Sequence, residues 1–406
     1  MRNKRSKYNN SSKFNGRNAG NRRSFNKRKI KVWEVSELMR VVERDGVKNT
    51  EGSLSNVSTE ETSNSFEDFG VSKQILTNIK ARGYTKPTPI QDKAIPVITS
   101  GKDLIGNANT GTGKTSAFLI PLIDKVFKNK NEKVLIITPT RELAVQIYDE
   151  FRSLSTGMGI YTATCIGGAN MRKQISELRK TPNFVIGTPG RLKDLIKHNF
   201  LNLSKFNNVV LDEADLMVDI GFVTEIKYFI SLLPQKRQSF FFSATFPAKV
   251  EDIIRSFVKN PVKINVKNRD TAENVEQIVV RTNGQKKIEV LDRTLKQSGF
   301  DKVLIFGRTK HGVQDLSNEL ISRGFKAGAI HGNKRQSQRL QILNKFKKNE
   351  IDILLATDVA SRGLDIDNVS HVINYDMPES YENYIHRIGR TGRADKKGSA
   401  LTFVEC

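Results

Sequence analysis

Short apolar runs that alternate with helix-like stretches restrict the fold of this chain more than any other feature. In its first half these runs are DLIG (103–106), VLIIT (134–138), FVIG (184–187), VVLD (209–212) and FFFS (240–243). Strands that are apolar along their whole length are typical of parallel sheets buried by helices on both faces. After a polar stretch the pattern restarts, with KVLIF (302–306), AGAI (327–330), DILLA (352–356), HVINY (371–375) and ALTFV (400–404). We therefore predict two α/β domains, over 66–266 and 277–406, joined by a linker at 267–276.

The charge of the chain is strongly positive and unevenly spread. It has 67 Lys and Arg against 43 Asp and Glu, a formal net charge of +24. Residues 1–31, a low-complexity segment rich in Asn and Ser, hold twelve of the basic residues and none of the acidic ones. This composition predicts a disordered basic tail, and the excess of positive charge favours nucleic acid over a membrane as the partner. The alternative for the tail is a solubilising role only.

Residues 32–65 and the cysteines add further expectations. Apolar residues recur at helical spacing in VWEVSELMRVVERD, which predicts a short amphipathic helix at 32–45 before a polar linker at 49–65. Two cysteines make no disulfide framework, which favours a reducing, cytoplasmic location. No run approaches about 18 consecutive apolar residues, so we expect no membrane span. We also expect a monomer, with a second domain that is short at its end because the chain stops soon after the last predicted strand.

A glycine-rich stretch follows the first predicted strand and opens a helix. In GNANTGTGKTSAF (106–118) the small residues would let backbone N–H groups surround phosphate oxygens at the helix N-terminus. Lys114 would reach the β and γ phosphates, and the Thr115 hydroxyl would bind Mg²⁺. Ala108 stands where the usual phosphate loop has a glycine. The remaining loop candidates are Asn109, Thr110, Gly111, Thr112 and Gly113.

Three carboxylates, Asp212, Glu213 and Asp215, directly follow the apolar strand VVL. In phosphate-loop enzymes a carboxylate at the end of a neighbouring strand holds the metal, and Asp212 is placed for that role. Glu213 could orient and deprotonate the attacking water. The alternative is an ordinary helix start, since acidic residues favour the first turn.

Residues 66–404 resemble a DEAD-box ATP-dependent RNA helicase, a superfamily 2 helicase. The resemblance is specific because about ten motifs occur in the family's order, with Asp212-Glu213-Ala214-Asp215 as the motif that names the family. It implies two RecA-like domains, each a mostly parallel sheet covered by helices, with ATP and Mg²⁺ as cofactors. It also implies RNA-stimulated ATP hydrolysis, coupled to local, non-processive unwinding of short duplexes or to remodelling of RNA–protein complexes.

The resemblance assigns roles to two further segments of the first domain. GYTKPTPIQ (83–91) resembles the adenine-recognition motif, in which Gln91 would read the base while Phe66 stacks on it. SAT (243–245) resembles the segment that couples hydrolysis to strand separation, through Ser243 and Thr245. Asp215 would tie the acidic cluster to this segment.

The second domain would complete the ATP site. In YIHRIGRTGRADKKGSA (384–400), Arg390 and Arg393 match the family's arginine fingers and His386 matches a residue that links the domains. The alternative for this run is a basic helix that faces RNA. In LLATDVASRGLDI (354–366), Gly363 and Asp365 would approach the ribose. No role is assigned to Arg308 in VLIFGRTK (303–310).

Contacts to the RNA backbone are implied for residues that follow predicted strands in both domains. Such contacts specify no base, so RNA would be bound with little sequence preference. The residues are Pro139, Thr140 and Arg141 in PTRELA, Gly168 in GG, Thr188 and Arg191 in TPGR, Arg339 in QSQR, and Thr357.

Two other classes of function stay open on the sequence. One is an ATP-gated RNA clamp or annealing chaperone led by the basic tail, and the other is a DNA helicase or translocase. The sequence identifies neither the RNA nor any protein partner.

Overall fold

The computed structural model describes residues 62–108, 111–266, 275–361, 366, 369–392 and 397–405. The tail predicted at 1–31 and the amphipathic helix predicted at 32–45 lie outside these residues. None of the described helices is long and apolar enough to cross a membrane.

The first domain is built on a seven-stranded sheet in which every strand pair is parallel. Its strands are β1 (Leu104–Asn107), β2 (Val134–Ile137), β3 (Thr162–Cys165), β4 (Phe184–Gly187), β5 (Asn208–Leu211), β6 (Gln238–Ser243) and β7 (Val262–Asn265). They lie in the order β3-β4-β2-β5-β6-β1-β7. The helices are Lys73–Ala81, Pro89–Thr99, Lys114–Lys128, Arg141–Leu154, Met171–Arg179, Pro189–Lys197, Ala214–Ile220, Val223–Leu232 and Ala248–Phe257, with 3-10 turns at Glu67–Phe69 and Leu203–Lys205.

The second domain repeats this architecture with six parallel strands. They are β8 (Val275–Arg281), β9 (Val303–Phe306), β10 (Ala327–Ile330), β11 (Ile353–Ala356), β12 (His371–Asn374) and β13 (Gly398–Val404), in the order β10-β11-β9-β12-β13-β8. The helices are Lys287–Leu295, Lys310–Ser322, Gln336–Lys347, Asp358–Ser361 and Tyr381–Ile388.

Both sheets are covered on their two faces, as the continuous apolar runs predict. Successive side chains of a strand point to opposite faces. In β2, Val134 and Ile136 accordingly belong to one hydrophobic cluster while Leu135 and Ile137 belong to another. The strand β9 divides its residues between two clusters of the second domain in the same way. The prediction of two α/β domains with doubly covered parallel sheets is confirmed.

Three strands were missed by the sequence analysis, and each lies at the edge of a sheet. The strands β3, β7 and β8 each have a single neighbour. An edge strand is not enclosed on both sides, so it needs no continuous apolar run. The sequences TATC and VKIN have none, and VEQIVVR has only the three residues 278–280. The strand β8 begins at Val275, so it includes the last two residues of the stretch predicted as a linker.

The strand order separates two groups of sequence motifs along one edge of the first sheet. The phosphate loop, the acidic cluster and the SAT segment follow β1, β5 and β6, which are neighbours. PTRELA, GG and TPGR follow β2, β3 and β4, which form the other half of the sheet. Parallel strands end at the same edge, so the fold places these two groups of motifs side by side along that edge.

Candidate active site

The phosphate loop turns into its helix through a glycine that no other residue can replace without strain. Gly113 has φ of 92° and caps the helix Lys114–Lys128. A Cβ at this position would lie 2.6 Å from Nε2 of Gln91, so the loop and the Gln91 side chain are in close contact. Lys114 begins the helix and its side chain is buried. Of the other loop candidates, Asn109 and Thr110 lie outside the described residues.

Both ends of the Gln91 amide are bonded within the chain. Its Oε1 accepts a hydrogen bond from the Thr88 backbone N–H at 3.0 Å, and its Nε2 donates to the Gly113 carbonyl at 3.1 Å. The residue is 3% exposed. An adenine edge would therefore have to replace or share these two hydrogen bonds.

Phe66 is 3% exposed and its ring makes an edge-on contact with Phe69, with the ring centroids 6.0 Å apart. This packing leaves almost none of the ring accessible. Stacking on a base would require Phe66 to leave this position in the core of the first domain.

The three carboxylates after β5 are all buried. Asp212 is 2% exposed, and its Oδ1 accepts a hydrogen bond from the Glu213 backbone N–H at 3.1 Å. Burial raises the pKa of Asp212 to about 6, against the opposing effect of Lys114. The nearby acidic groups Glu213 and Asp215 raise it further. A cation bound beside Asp212 would oppose these effects, because a nearby positive charge favours the ionised carboxylate.

The donor set fits magnesium. Thr115 and Asp212 offer a hydroxyl and a carboxylate, and Mg²⁺ prefers oxygen ligands. Among the described residues no group of three or more His, Cys, Asp or Glu side chains could hold a metal by itself. A magnesium ion here would thus take most of its ligands from nucleotide phosphates and water, as is usual for this ion.

Glu213 has an unusual backbone conformation. Its φ and ψ are 52° and 53°, in the left-handed region that residues with a Cβ rarely adopt. It precedes the helix Ala214–Ile220, and its side chain lines the cleft between the two domains. Strained backbone of this kind tends to occur at functional sites, where the surrounding structure holds it.

Asp215 joins the acidic cluster to the SAT segment. Its Oδ2 accepts hydrogen bonds from the backbone N–H groups of Ala244, at 3.2 Å, and Thr245, at 3.0 Å. The Thr245 hydroxyl donates to the same oxygen at 3.1 Å. The Ser243 hydroxyl instead donates to the Thr245 carbonyl at 2.7 Å. These hydrogen bonds connect the SAT segment to the helix Ala214–Ile220, which contains Asp215.

A cleft of about 760 Å³ separates the two domains at the edge where these motifs end. Lys114 and Glu213 lie on its first-domain side, with Asp215 and Thr245. The second domain contributes Arg308, Thr357, Asp358, Val359, Glu379, Ser380, Asn383, His386 and Arg390. Of the residues predicted for the second half of the ATP site, Gly363, Asp365 and Arg393 lie outside the described residues.

Arg387 differs from Arg390 although both belong to the same basic run. It is 2% exposed, and its Nε and Nη2 donate to the two carboxylate oxygens of Asp358 at 2.6 and 2.8 Å. Its Nη1 donates to Asn374 and to the Asp376 carbonyl, and the guanidinium lies 5.0 Å from the centre of the Phe306 ring. Arg387 thus holds the helix Tyr381–Ile388 against the sheet, while Arg390 lines the cleft.

Candidate RNA-contacting residues lie beyond β2, β3 and β4, and several are held by neighbours. Thr140 caps the helix Arg141–Leu154 by accepting a hydrogen bond from the Leu143 N–H at 3.3 Å. Gly168 has φ of 75°, and a Cβ there would lie 2.5 Å from Nη1 of Arg141. The glycine therefore leaves room for the guanidinium of Arg141.

Arg191 is positioned by a residue that the sequence analysis did not identify. Its Nη1 donates to Oε1 of Gln174 at 2.8 Å, and Gln174 is in turn anchored to the Ile166 carbonyl at 3.0 Å. Pro139 and Thr188 are buried at the ends of β2 and β4.

Arg339 faces the first domain. Its Nε lies 3.1 Å from Oε1 of Glu142, an ion pair whose acid is 2% exposed. Gln336 Nε2 donates to the same oxygen at 2.9 Å. Burial lowers the pKa of Arg339, Glu142 opposes this effect and Arg141 adds to it. The cations of Arg141 and Arg339 therefore lie near each other where the two domains meet, an arrangement that suits a polyanion.

Glu142, Gln174, Arg308 and Asp358 were not among the predicted site residues. Glu142 lies in PTRELA and Asp358 in LLATDVASRGLDI, but no spacing rule indicates their partners, since Glu142 and Gln336 are 194 residues apart. Arg308 follows a predicted strand at the same sheet edge as Thr357, and that position was the only available signal.

Two family models match the chain, "DEAD/DEAH box helicase" over residues 88–253 and "Helicase conserved C-terminal domain" over residues 286–395. The ATP-dependent RNA helicase CshA of Listeria monocytogenes is 45% identical over 342 residues, which are 84% of this chain and 66% of that protein. CshA of Limosilactobacillus reuteri is 44% identical over 341 residues, covering 84% and 69% of the two chains. This chain belongs to the DEAD-box helicase family.

The structure of this DEAD-box helicase is also similar to a solved relative. Saccharomyces cerevisiae Dbp5, solved with RNA and ADP–BeF3 bound, matches with a TM-score of 0.75 and 29% sequence identity. The match covers 84% of this chain and 90% of the Dbp5 chain. The two sheets described above are therefore RecA-like domains, as the sequence predicts. This DEAD-box helicase spans about two thirds of the length of the CshA relatives.

Proposed function

We propose that this DEAD-box protein is an ATP-dependent RNA helicase that hydrolyses ATP in the cleft between its domains and separates short RNA duplexes locally. The observation that carries the proposal is the composition of the cleft. It brings Lys114 and Glu213 from the first domain together with His386 and Arg390 from the second. The CshA relatives are named ATP-dependent RNA helicases, which agrees with this function.

Each residue has a separate role in the proposed hydrolysis. Lys114 binds the β and γ phosphates, and Arg390 stabilises the charge that develops on the transferred phosphoryl group. Glu213 orients the attacking water and accepts its proton. Thr115 and Asp212 would hold Mg²⁺, which supplies further positive charge to the phosphates when bound. Gln91 would recognise adenine while keeping its hydrogen bond to the Gly113 carbonyl. Phe66 would stack on the base after leaving its contact with Phe69.

Hydrolysis depends on the approach of the two domains because the catalytic groups are divided between them. RNA that contacts both halves would favour the closed arrangement and so stimulate turnover. We assign the phosphate contacts to Arg141, Arg191, Arg339 and Thr357. These contacts read no base, so the preference for RNA over DNA would come from the sugar 2′-hydroxyls.

Asp215 and Thr245 would carry the state of the nucleotide to the SAT segment through the hydrogen bonds described above. Closure around one strand would bend it and displace its partner over a short length, so processive translocation is not part of the proposal. We further propose a monomer in the cytoplasm. Burial raises the pKa of the unpaired Cys165 thiol to about 12, which makes it unreactive and is compatible with a reducing compartment.

The experiment that tests this function measures ATP turnover and strand displacement by the full chain. We expect single-stranded RNA to stimulate turnover at least about tenfold, and a short RNA duplex to be separated only when ATP is present. DNA of matched length and sequence should stimulate turnover far less. Equal stimulation by DNA would indicate a DNA translocase instead. Annealing of RNA strands without ATP turnover would indicate an RNA clamp or chaperone.

A further inference from the structure

A buried carboxylate outside the cleft joins the two loops that would hold the nucleotide. Glu150 lies on the helix Arg141–Leu154 and is buried. Its Oε1 accepts a hydrogen bond from the Tyr84 hydroxyl at 2.6 Å and another from the Ser116 hydroxyl at 2.7 Å. Tyr84 belongs to the adenine-recognition segment 83–91, and Ser116 lies one residue after Thr115 in the phosphate-loop helix.

The hydrogen bonds at Glu150 complete a double connection between the two loops. At one end of the adenine-recognition segment, Gln91 donates to the Gly113 carbonyl at 3.1 Å. At the other end, Tyr84 and Ser116 share the Glu150 oxygen. The relative position of the two loops is therefore held at two separated points. Only the first of these points involves a residue predicted to touch the base.

The charge of Glu150 makes its two hydroxyl contacts strong. Hydrogen bonds to an ionised acceptor are shorter and stronger than those between neutral groups. Arg82 lies beside the other oxygen, with Nη2 3.2 Å from Oε2, but its side chain is half exposed and contributes less. Burial, together with the hydrogen bond to Glu150, raises the pKa of Tyr84, so the phenol stays protonated and donates its hydrogen.

We infer that Glu150 is a positioning residue for ATP, which holds the adenine-recognition segment at a fixed distance from the phosphate loop. The inference deepens the proposed function and rests on it. With the two loops held together, base and phosphates can be bound at the same time without a further ordering cost. Loosening the connection should weaken ATP binding and reduce the discrimination between adenine and guanine. It should leave the chemical step in the cleft nearly unchanged, because the hydrogen-bond partners of Glu150, which are Arg82, Tyr84 and Ser116, do not line the cleft.

The test uses the full chain without RNA and measures the dissociation constants of fluorescent ATP and GTP analogues. Glu150→Gln, Tyr84→Phe and Ser116→Ala each weaken one part of the connection with little change in volume. For each we expect ATP to bind about three- to tenfold more weakly, the loss typical of one or two hydrogen bonds. GTP binding should change by less than about twofold. The dissociation constant for GTP divided by that for ATP should therefore fall. The value of kcat at saturating ATP and RNA should stay within about twofold of the wild type.

The matched control is Asp149→Asn, which removes a charge from the neighbouring, exposed position of the same helix. It should bind both analogues as the wild type does. If Glu150→Gln does not fold, Tyr84→Phe and Ser116→Ala carry the test, since each removes only a hydroxyl. Unchanged ATP binding in these variants, or equal weakening of ATP and GTP alongside a lower melting temperature, would overturn the inference. Failure of the wild-type chain to bind ATP would instead overturn the proposed function.

Discussion

The Nε of Arg339 in the second domain lies 3.1 Å from the carboxylate of Glu142 in the first. This ion pair is almost removed from solvent, and Gln336 donates to the same carboxylate oxygen at 2.9 Å. A buried acid that loses its partners is costly, because the charge is left without compensation. The contact therefore stabilises the arrangement in which the two halves of the cleft face each other.

Replacing Glu142 by alanine should weaken this arrangement and leave each domain intact. We expect the RNA concentration needed for half-maximal ATP turnover to rise by about tenfold or more, since both domains must close on the strand. Strand displacement should fall more than turnover does. Steady-state ATPase assays and displacement of a short duplex measure both effects. Asp149→Ala, an exposed position on the same helix, is the control. A wild-type response to RNA in Glu142→Ala would show that the contact does not contribute to closure.

Glu213→Gln should retain ATP binding and lose hydrolysis. The amide keeps the size of the side chain and cannot accept a proton from water, so turnover should fall by about 10²–10⁴-fold. Equilibrium binding of a fluorescent ATP analogue and single-turnover hydrolysis separate the two steps. Near-normal hydrolysis by Glu213→Gln would remove Glu213 as the base.

Arg387→Ala should mainly reduce stability and Arg390→Ala should mainly reduce ATP turnover, although the two residues are only three positions apart. Arg387 is a buried partner of Asp358, so its loss should destabilise the second domain by about 3–5 kcal/mol. Arg390 is 4% exposed but lines the cleft, and its loss should reduce kcat by about 10³-fold or more. Thermal unfolding and ATPase measurements on both variants make the comparison. The assignment fails if the two variants show the same pattern.

Asp212→Asn should stabilise the nucleotide-free protein at neutral pH. Burial raises the pKa of Asp212 from 3.8 to about 6, so the ionised carboxylate is less favourable in the folded chain than in the unfolded one. Stability linked to this group is therefore fully present below pH about 4 and is lost as the pH rises through about 6. The asparagine variant has no carboxylate to ionise. Above pH about 7 its free energy of unfolding should therefore exceed that of the wild type by at most about 3 kcal/mol.

Melting curves between pH about 5 and 8 test this prediction, with Asp149→Asn as the control for an exposed acid. Adding Mg²⁺ with a non-hydrolysable ATP analogue should make the wild type melt at a higher temperature than Asp212→Asn. The bound metal favours the ionised form of Asp212 and so stabilises the wild type more than the variant. Removing Mg²⁺ with a chelator should make Asp212→Asn the protein with the higher melting temperature again. A wild type that is the more stable protein at neutral pH without ligand would contradict the role of burial.

Deleting residues 1–31 should lower RNA affinity and flatten its dependence on salt. The segment carries twelve of the Lys and Arg residues and no acid, so it would neutralise RNA phosphates and release their counterions. Binding titrations of single-stranded RNA at several salt concentrations give the slope. An unchanged slope would leave the tail with a solubilising role only.

The fold and the position of the glycine-rich stretch between a strand and a helix could be predicted from the sequence because both depend on local patterns. Continuous apolar runs predicted the central strands, and the failures were confined to β3, β7 and β8, which lie at sheet edges and need no such run. The stretch around Gly113 and Lys114 follows a strand and opens a helix, so its local chemistry indicates its geometry.

By itself the sequence determined two parallel α/β domains, a glycine-rich stretch that opens a helix, three acids after a buried strand and the uneven positive charge. Only the tertiary structure decided which of two neighbouring arginines is buried against Asp358 and which lines the cleft. It alone also paired Glu142 with Gln336, and Glu150 with Tyr84 and Ser116. The physical reason is that periodicity reports what a residue does within its own helix or strand. The partner of a buried charge is chosen by the packing of elements that lie far apart in the chain.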